Sequence, residues 1–144
     1  MSDIQDLEKM RHSLSHIMAA AVKNLYAGTT TVQFGIGPAI DNGFYYDIDF
    51  GGQKVSEDDF KKIEKEMRKI IEQKLPIVRS EKSRAEALAW AKENGQKFKT
   101  ELINDLPEDE VISFYKLGDF EDLCRGPHVE DTGKVGVFKL DKIS

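Results

Sequence analysis

The sequence predicts an α+β fold, in which helices pack on a sheet of antiparallel or mixed strands, and three observations indicate it. Apolar residues recur at three- and four-residue steps in some segments, as in helices, and at alternate positions in others, as in strands. The two kinds of segment mix without the regular alternation of a parallel doubly wound sheet. With 144 residues, the chain has the length of one ordinary domain, which we expect to span residues 1–144.

A long first helix is predicted over residues 4–26, before a glycine and a run of threonines. Its apolar stripe is expected to face the core and consists of Leu7, Met10, Leu14, Ile17, Ala21 and Leu25. His12 and His16 lie on the opposite side of this helix, four residues apart, where their rings stand one above the other. Their neighbours on that side are mostly small, so we expect this face of the helix to line a cleft.

Residues 32–50 are predicted to form a hairpin. The Asp-Asn-Gly segment at residues 41–43 is a turn signal, because Asn-Gly tolerates the positive φ that tight turns need. From residue 44 to residue 50, apolar and polar side chains alternate with the period of a half-buried strand.

The rest of the chain carries further helix and strand signals. Ser56 with Asp59, and Ser83 with Glu86, each resemble a capping box at the start of a helix. The two helices are expected to end near residues 74 and 94, and another helix is predicted over residues 98–106. Short strands are predicted at residues 77–80, 111–117, 120–124 and 136–140.

Composition and charge limit the classes of function. The single cysteine excludes an internal disulfide framework and fits a reducing compartment, and no apolar stretch approaches the roughly 18 residues of a membrane span. We therefore expect a cytoplasmic protein with no membrane partner. The net charge is −5, whereas a protein that grips a nucleic acid alone usually has a basic face. A nucleic-acid substrate is thus expected to be touched only at its end, with another domain supplying the binding energy.

All three histidines and the single cysteine fall into two short pairs, His12 with His16 and Cys124 with His128. Imidazole and thiolate are the ligands that zinc prefers, and they also transfer protons near neutral pH. The residues alone leave a zinc site and a metal-free acid–base site equally open. Ordinary hydrogen-bonded histidines and a buried structural cysteine are the simpler alternatives.

Three segments closely resemble the editing domain of bacterial threonyl-tRNA synthetase. They read RHSLSH at residues 11–16, GIGPAIDNGFYYD at residues 35–47 and DLCRGPH at residues 122–128. The resemblance extends from about residue 10 to residue 144. It implies hydrolysis of serine from wrongly charged threonine tRNA. The family's ubiquitin-like domain and aminoacylation domain are not expected in this chain, so we expect no aminoacylation and no ATP binding.

The resemblance also implies roles for individual residues. His12 would hold or deprotonate the water or contact the ribose hydroxyl, while His16, Cys124 and His128 would line and orient the pocket. Asp122 would bind the serine ammonium group. Lys99 would stabilise the developing negative charge, with Lys97 as the alternative if the register slips by two. Tyr45 and Tyr46 would contact the adenosine, although aromatic strand residues more often belong to a core.

The resemblance favours catalysis without a required cofactor, although His12, His16, Cys124 and His128 could bind zinc. Two alternative functions remain at this point: a zinc-dependent deacylase of mischarged alanine tRNA, and a non-catalytic tRNA-binding module. The expected partners are the 3′ end of threonine tRNA carrying serine and the remaining domains of a threonyl-tRNA synthetase.

Overall fold

A computed structural model describes residues 3–26, 32–34, 39–40, 43–44, 46, 48–50, 55–124, 128–136 and 138–140. These residues contain four α-helices, two short 3-10 helices and three small antiparallel sheets, so the predicted α+β fold is confirmed. In the described part of the chain, no helix combines the length and the apolar content needed to cross a membrane.

Helix α1 (Asp3–Tyr26) forms the centre of the larger hydrophobic core. The predicted stripe is right for Leu14, Ile17 and Ala21, which are buried, but wrong for Leu7, which is 39% exposed. The opposite side of the helix is also buried from Ser13 to Ala20, because α1 is covered by other elements on both sides. His16 therefore belongs to the interior of the fold, whereas His12, just before this buried stretch, is half-buried.

The predicted hairpin is present as two nested pairs of short strands. β1 (Gln33–Phe34) pairs with β4 (Ile48–Asp49), and β2 (Ala39–Ile40) pairs with β3 (Gly43–Phe44), both antiparallel. The turn predicted at residues 41–43 starts with two residues that lie outside the described residues. Phe34 is buried and Phe44 packs against the main core, so the hairpin closes one side of α1.

Helix α2 (Phe60–Glu72) follows a 3-10 turn at Glu57–Asp59 and packs against α1. The capping box predicted at Ser56 and Asp59 is confirmed, because the side chain of each residue accepts a hydrogen bond from the backbone N–H of the other. Its apolar face buries Ile63, Met67 and Ile70. The helix ends slightly before the predicted boundary.

The third sheet has the strand order β5–β6–β7 and is entirely antiparallel. Its strands are β5 (Ile77–Lys82), β6 (Ile112–Leu117) and β7 (Phe120–Leu123). Helices α3 (Arg84–Glu93) and α4 (Lys97–Asp105) lie between β5 and β6 in the chain, and they share a second, smaller core with β6. The capping box predicted for α3 at Ser83 and Glu86 is confirmed.

The strand predicted at residues 136–140 is wrong. Gly136 and residues 138–140 have no strand structure, and residue 137 lies outside the described residues. Phe138 and Leu140 do pack against the main core, which accounts for the alternating apolar pattern. The backbone N–H of Leu140, however, donates to the side chain of Glu64 at 2.8 Å instead of to a neighbouring strand.

Candidate active site

The two histidine-containing pairs meet at one point, where α1 faces the end of β7. We call His12, His16, Cys124 and His128 the histidine–cysteine cluster. One ligand atom from each of these residues lies within 4.8 Å of those from the others. The sulfur of Cys124 is 3.2 Å from Nε2 of His12 and 3.3 Å from Nε2 of His128. The rings of His12 and His128 stack with their centroids 4.3 Å apart.

Two serines, one on α1 and one on β6, bind residues of the cluster and fix their positions. Ser13 is fully buried, and its Oγ lies 2.9 Å from Nδ1 of His128 and accepts the backbone N–H of Val129 at 3.0 Å. Ser113 on β6 accepts the N–H of Cys124 through its carbonyl and donates its hydroxyl to the Cys124 carbonyl. Cys124 is thus tied to the sheet just beyond β7, and His128 is tied to α1.

A second set of side chains adjoins the cluster through His16. We call Tyr46, Lys99 and Asp122 the charged group. The ammonium of Lys99 is 3.2 Å from Oδ1 of Asp122, and both side chains are nearly inaccessible to solvent. The hydroxyl of Tyr46 donates to the other carboxylate oxygen, which also lies 3.6 Å from Nδ1 of His16. An ion pair is therefore buried directly beside the histidines.

Lys99 reaches this position because the start of α4 is fixed to the hairpin. Gln96 donates to the Val32 carbonyl and accepts the N–H of Phe34, each at 2.8 Å. Gln33 of β1 accepts the N–H of Lys97 at 2.7 Å and donates to the Gly95 carbonyl. The register of α4 is therefore set so that Lys99 points inward, whereas the predicted alternative, Lys97, is exposed.

Burial controls the charge state of the cluster. The pKa of His16 lies well below its ordinary value, because of burial first and the nearby His12 and Lys99 next. Burial, with the two other imidazoles, lowers the pKa of His128 to about 2. Both rings are therefore neutral near pH 7 and are weak proton acceptors.

In the charged group, burial raises the pKa of the Asp122 carboxyl, an effect that Lys99 and the Tyr46 hydroxyl oppose. The pKa of Tyr46 is raised by burial and by the adjacent carboxylate. Tyr46 therefore remains a hydrogen-bond donor to Asp122.

The donor set of the cluster fits a zinc ion. With Zn–S near 2.3 Å and Zn–N near 2.0–2.1 Å, neighbouring ligands of a tetrahedral site stand roughly 3.5 Å apart. The two sulfur–nitrogen separations of 3.2 and 3.3 Å are close to that value. Four protein ligands would fill all four positions, however, which is typical of structural rather than catalytic zinc.

Comparison with known proteins adds independent information. The family described as threonyl and alanyl tRNA synthetase second additional domain matches residues 112–144. The chain is 51% identical over 140 residues to a threonine–tRNA ligase of Aquifex aeolicus, which covers 97% of this chain and 22% of the relative. Ligases of the same name from Geobacillus kaustophilus and Clostridioides difficile are 54% and 51% identical, over 96% and 99% of this chain. They are covered over 21% and 22% of their own length.

The predicted resemblance to the editing domain of bacterial threonyl-tRNA synthetases is confirmed. The chain spans about a fifth of the length of the threonine–tRNA ligases it matches. The part that matches the family description includes Asp122, Cys124 and His128, and the ligase alignments span nearly the whole chain.

Most of the residues singled out from the sequence come together at this site. They are His12, His16, Tyr46, Lys99, Asp122, Cys124 and His128. Tyr45 lies outside the described residues. The sequence interpretation missed the roles of Ser13 and Ser113, and of Tyr115, whose ring centroid is 4.5 Å from that of His128. For Ser13 alone, the position between two histidines could have indicated contact with the site.

Proposed function

We propose that this chain hydrolyses the ester of serine wrongly attached to threonine tRNA and leaves the threonine ester intact. The observation that carries this proposal is a cluster of three imidazoles and a thiol beside a buried lysine–aspartate pair. The similarity to threonine–tRNA ligases supports the same reaction, because an enzyme that attaches threonine to tRNA also needs a way to remove serine attached by mistake.

The need for such a reaction follows from the small difference between serine and threonine. One methyl group changes binding by only about 1–3 kcal/mol, or roughly 10–200-fold, so a synthetic site for threonine also accepts serine. A second site can use the same methyl group in the opposite sense. It accepts the smaller amino acid and leaves no room for the larger one.

Ester hydrolysis requires a water molecule, a group to take its proton, and stabilisation of the carbonyl oxygen as it becomes negative. His12 is the best base of the cluster. The low pKa of His16 and of His128 makes both of these rings poor proton acceptors, so the half-buried His12 is the ring left to take the proton.

In the proposed reaction, His12 takes a proton from water as the oxygen attacks the ester carbonyl carbon. The negative charge that forms on the carbonyl oxygen lies near the ammonium of Lys99. The carbon–oxygen bond to the ribose then breaks, and the ribose oxygen takes the proton back from His12. The products are free serine and a tRNA with a free terminal hydroxyl.

Asp122 recognises the substrate in this scheme. A buried carboxylate that already binds one ammonium, that of Lys99, can bind the α-ammonium of serine by a second charge-assisted hydrogen bond. The complex then carries two positive groups around one carboxylate, and this excess positive charge favours the developing oxyanion. Tyr46, which donates to the same carboxylate, fixes its orientation.

A zinc-dependent reaction is the second candidate, and the ligand spacing of the cluster favours it. His12, His16, Cys124 and His128 would hold the ion, and one of them would have to give way for the ion to polarise the ester carbonyl or activate water. This candidate predicts loss of activity with a chelator.

The partners follow from the substrate. We propose that the chain, residues 1–144, acts as one editing domain on the 3′ end of threonine tRNA, within the cytoplasm. Because the net charge is −5, its own affinity for tRNA is expected to be weak, and the remaining domains of a threonyl-tRNA synthetase would supply the binding.

The test is incubation of the protein with separately prepared seryl- and threonyl-esters of threonine tRNA, each with and without chelator. The proposal predicts rapid loss of serine, slow loss of threonine and no effect of the chelator. Equal rates for the two esters would contradict the substrate, and binding without hydrolysis would favour a non-catalytic tRNA-binding module. Chelator-sensitive release of serine would favour the zinc reaction instead.

A further inference from the structure

Ser13 lies between the two histidines of α1 and is completely buried. Its hydroxyl oxygen has two neighbours among the described residues. Nδ1 of His128 is 2.9 Å away, and the backbone nitrogen of Val129 is 3.0 Å away. These contacts join the centre of α1 to a segment more than a hundred residues later in the chain.

The donors and acceptors around Ser13 determine which group donates in its contact with His128. A serine hydroxyl has one proton to donate and two lone pairs that accept. A backbone N–H can only donate, so the hydroxyl oxygen accepts from Val129. Within the described residues, the proton of Ser13 then has one acceptor in reach, which is Nδ1 of His128.

The opposite direction is unfavourable. If Nδ1 of His128 carried a proton, the Ser13 oxygen would accept two hydrogen bonds and its own proton would have no acceptor in the described part of the chain. A buried donor without an acceptor is costly, and native proteins rarely contain one. The ring must therefore offer a lone pair at Nδ1, and a neutral imidazole of this kind carries its proton on Nε2.

That proton points into the histidine–cysteine cluster. Nε2 of His128 is 3.3 Å from the sulfur of Cys124, so the N–H donates towards the sulfur. The sulfur also lies 3.2 Å from Nε2 of His12, a contact whose direction depends on the tautomer of His12. The hydrogen bonds thus run in one direction from Ser13 through His128 to Cys124.

We propose that Ser13 is a positioning residue that holds His128 as the neutral tautomer protonated on Nε2. His128 then presents a hydrogen-bond donor to the pocket, and the lone pair available for proton transfer belongs to His12. The consequence for hydrolysis rests on the proposed function. The tautomer itself is a property of the protein alone.

The tautomer can be measured by nuclear magnetic resonance on the chelator-treated protein with 15N-labelled histidine, without any substrate. The His128 signals are assigned by their loss in His128→Gln. We expect the chemical shift of Nδ1 to be that of an unprotonated nitrogen and the shift of Nε2 to be that of a protonated one. A protonated Nδ1, or shifts averaged between the two tautomers, would overturn the proposal.

The variant Ser13→Ala tests the role of the hydroxyl, with Ser15→Ala as its matched control. Ser15 is equally buried on the same helix, but its hydroxyl donates to the backbone carbonyl of His12 at 2.7 Å. In Ser13→Ala we expect averaged His128 shifts and deacylation slower by roughly 2- to 10-fold, the usual effect of one hydrogen bond. Ser15→Ala should keep the wild-type tautomer.

Wild-type shifts in Ser13→Ala would show that another group fixes the ring and would overturn the role of Ser13. If this variant does not fold, the spectrum of the wild-type protein still decides the tautomer. If the wild-type protein does not hydrolyse the serine ester, the proposed function fails, while the spectrum tests the tautomer independently.

Discussion

The two parts of the candidate site, the histidine–cysteine cluster and the charged group, manage charge in opposite ways. The histidine–cysteine cluster keeps His16 and His128 neutral, because burial and their mutual proximity lower the pKa of both rings. The charged group instead keeps an ammonium and a carboxylate together at 3.2 Å. Neutral imidazoles can orient a water molecule by hydrogen bonds, whereas a fixed ion pair can bind an ammonium group and stabilise an oxyanion.

This comparison predicts that the largest kinetic effects come from one residue in each part. His12→Ala removes the base and Lys99→Ala removes the oxyanion partner, so each should lower the rate of serine release by roughly 10²–10³-fold. Single-turnover deacylation is the measurement. Lys97→Ala is the matched control, because Lys97 lies on the same helix but is exposed, and its rate should be unchanged. Equal losses at the two lysines would contradict the assigned register of α4.

The charged group should also dominate stability. Asp122→Asn removes the carboxylate from a buried ion pair, which leaves the Lys99 ammonium in the interior without that charge. We expect the free energy of unfolding to fall by about 3 kcal/mol. The adjacent Glu121 pairs with Lys82 near the surface, so Glu121→Gln should cost less than about 1 kcal/mol. Urea denaturation of both variants tests the difference, and similar losses would argue against it.

The neutral histidines predict how stability depends on pH. The folded-state pKa of His128 is about 2, and the ordinary value is 6.5. Between these values the unfolded chain binds the additional proton, so stability that is present above about pH 6.5 is lost as the pH falls. One such group contributes a slope of about 1.4 kcal/mol per pH unit. His128→Gln should reduce the slope of the unfolding free energy against pH, below pH 6, by roughly that amount. Urea titrations in the presence of chelator measure this slope. An undiminished slope would be inconsistent with a neutral His128 in the folded protein.

The smallest kinetic effect is expected at Cys124. Its thiol contacts the rings of His12 and His128 but has no assigned contact with the reacting ester. Cys124→Ala should therefore slow serine release by less than about 10-fold, the scale of one lost hydrogen bond. A conservative Cys124→Ser substitution, which retains a donor and an acceptor, should be milder still in the same assay.

Local signals in the sequence predicted much of the fold. The capping boxes at Ser56 and Ser83 depend on residues three positions apart, so they could be read directly. The failures concern tertiary context. Periodicity placed Leu7 in the core, but the covered part of α1 begins later, at Ser13. The alternating residues near the end of the described chain pack on the core without forming a strand.

In the candidate site, too, the sequence indicated the residues but not the tertiary contacts that orient them. The residue types of the two histidine-containing pairs indicated the chemistry, and the family resemblance supplied Lys99, Asp122 and Tyr46. The contacts that orient them could not be read from the sequence, because they join distant segments. Ser13 and His128 are 115 residues apart in the sequence. Gln96 binds the backbone of β1, and Gln33 of β1 binds the first residue of α4, in each case across more than 60 residues. Such contacts depend on the packing of α1, the hairpin and α4.

The comparison of Cys124→Ala with Lys99→Ala tests the division of labour between the two parts most directly. Single-turnover release of serine is measured for both variants and the wild-type protein, with zinc content determined on the same samples. We expect the Lys99→Ala rate to be at least about 10-fold below that of Cys124→Ala, without stoichiometric zinc in the active wild-type protein. Stoichiometric zinc together with an inactive Cys124→Ala and a mildly affected Lys99→Ala would contradict it.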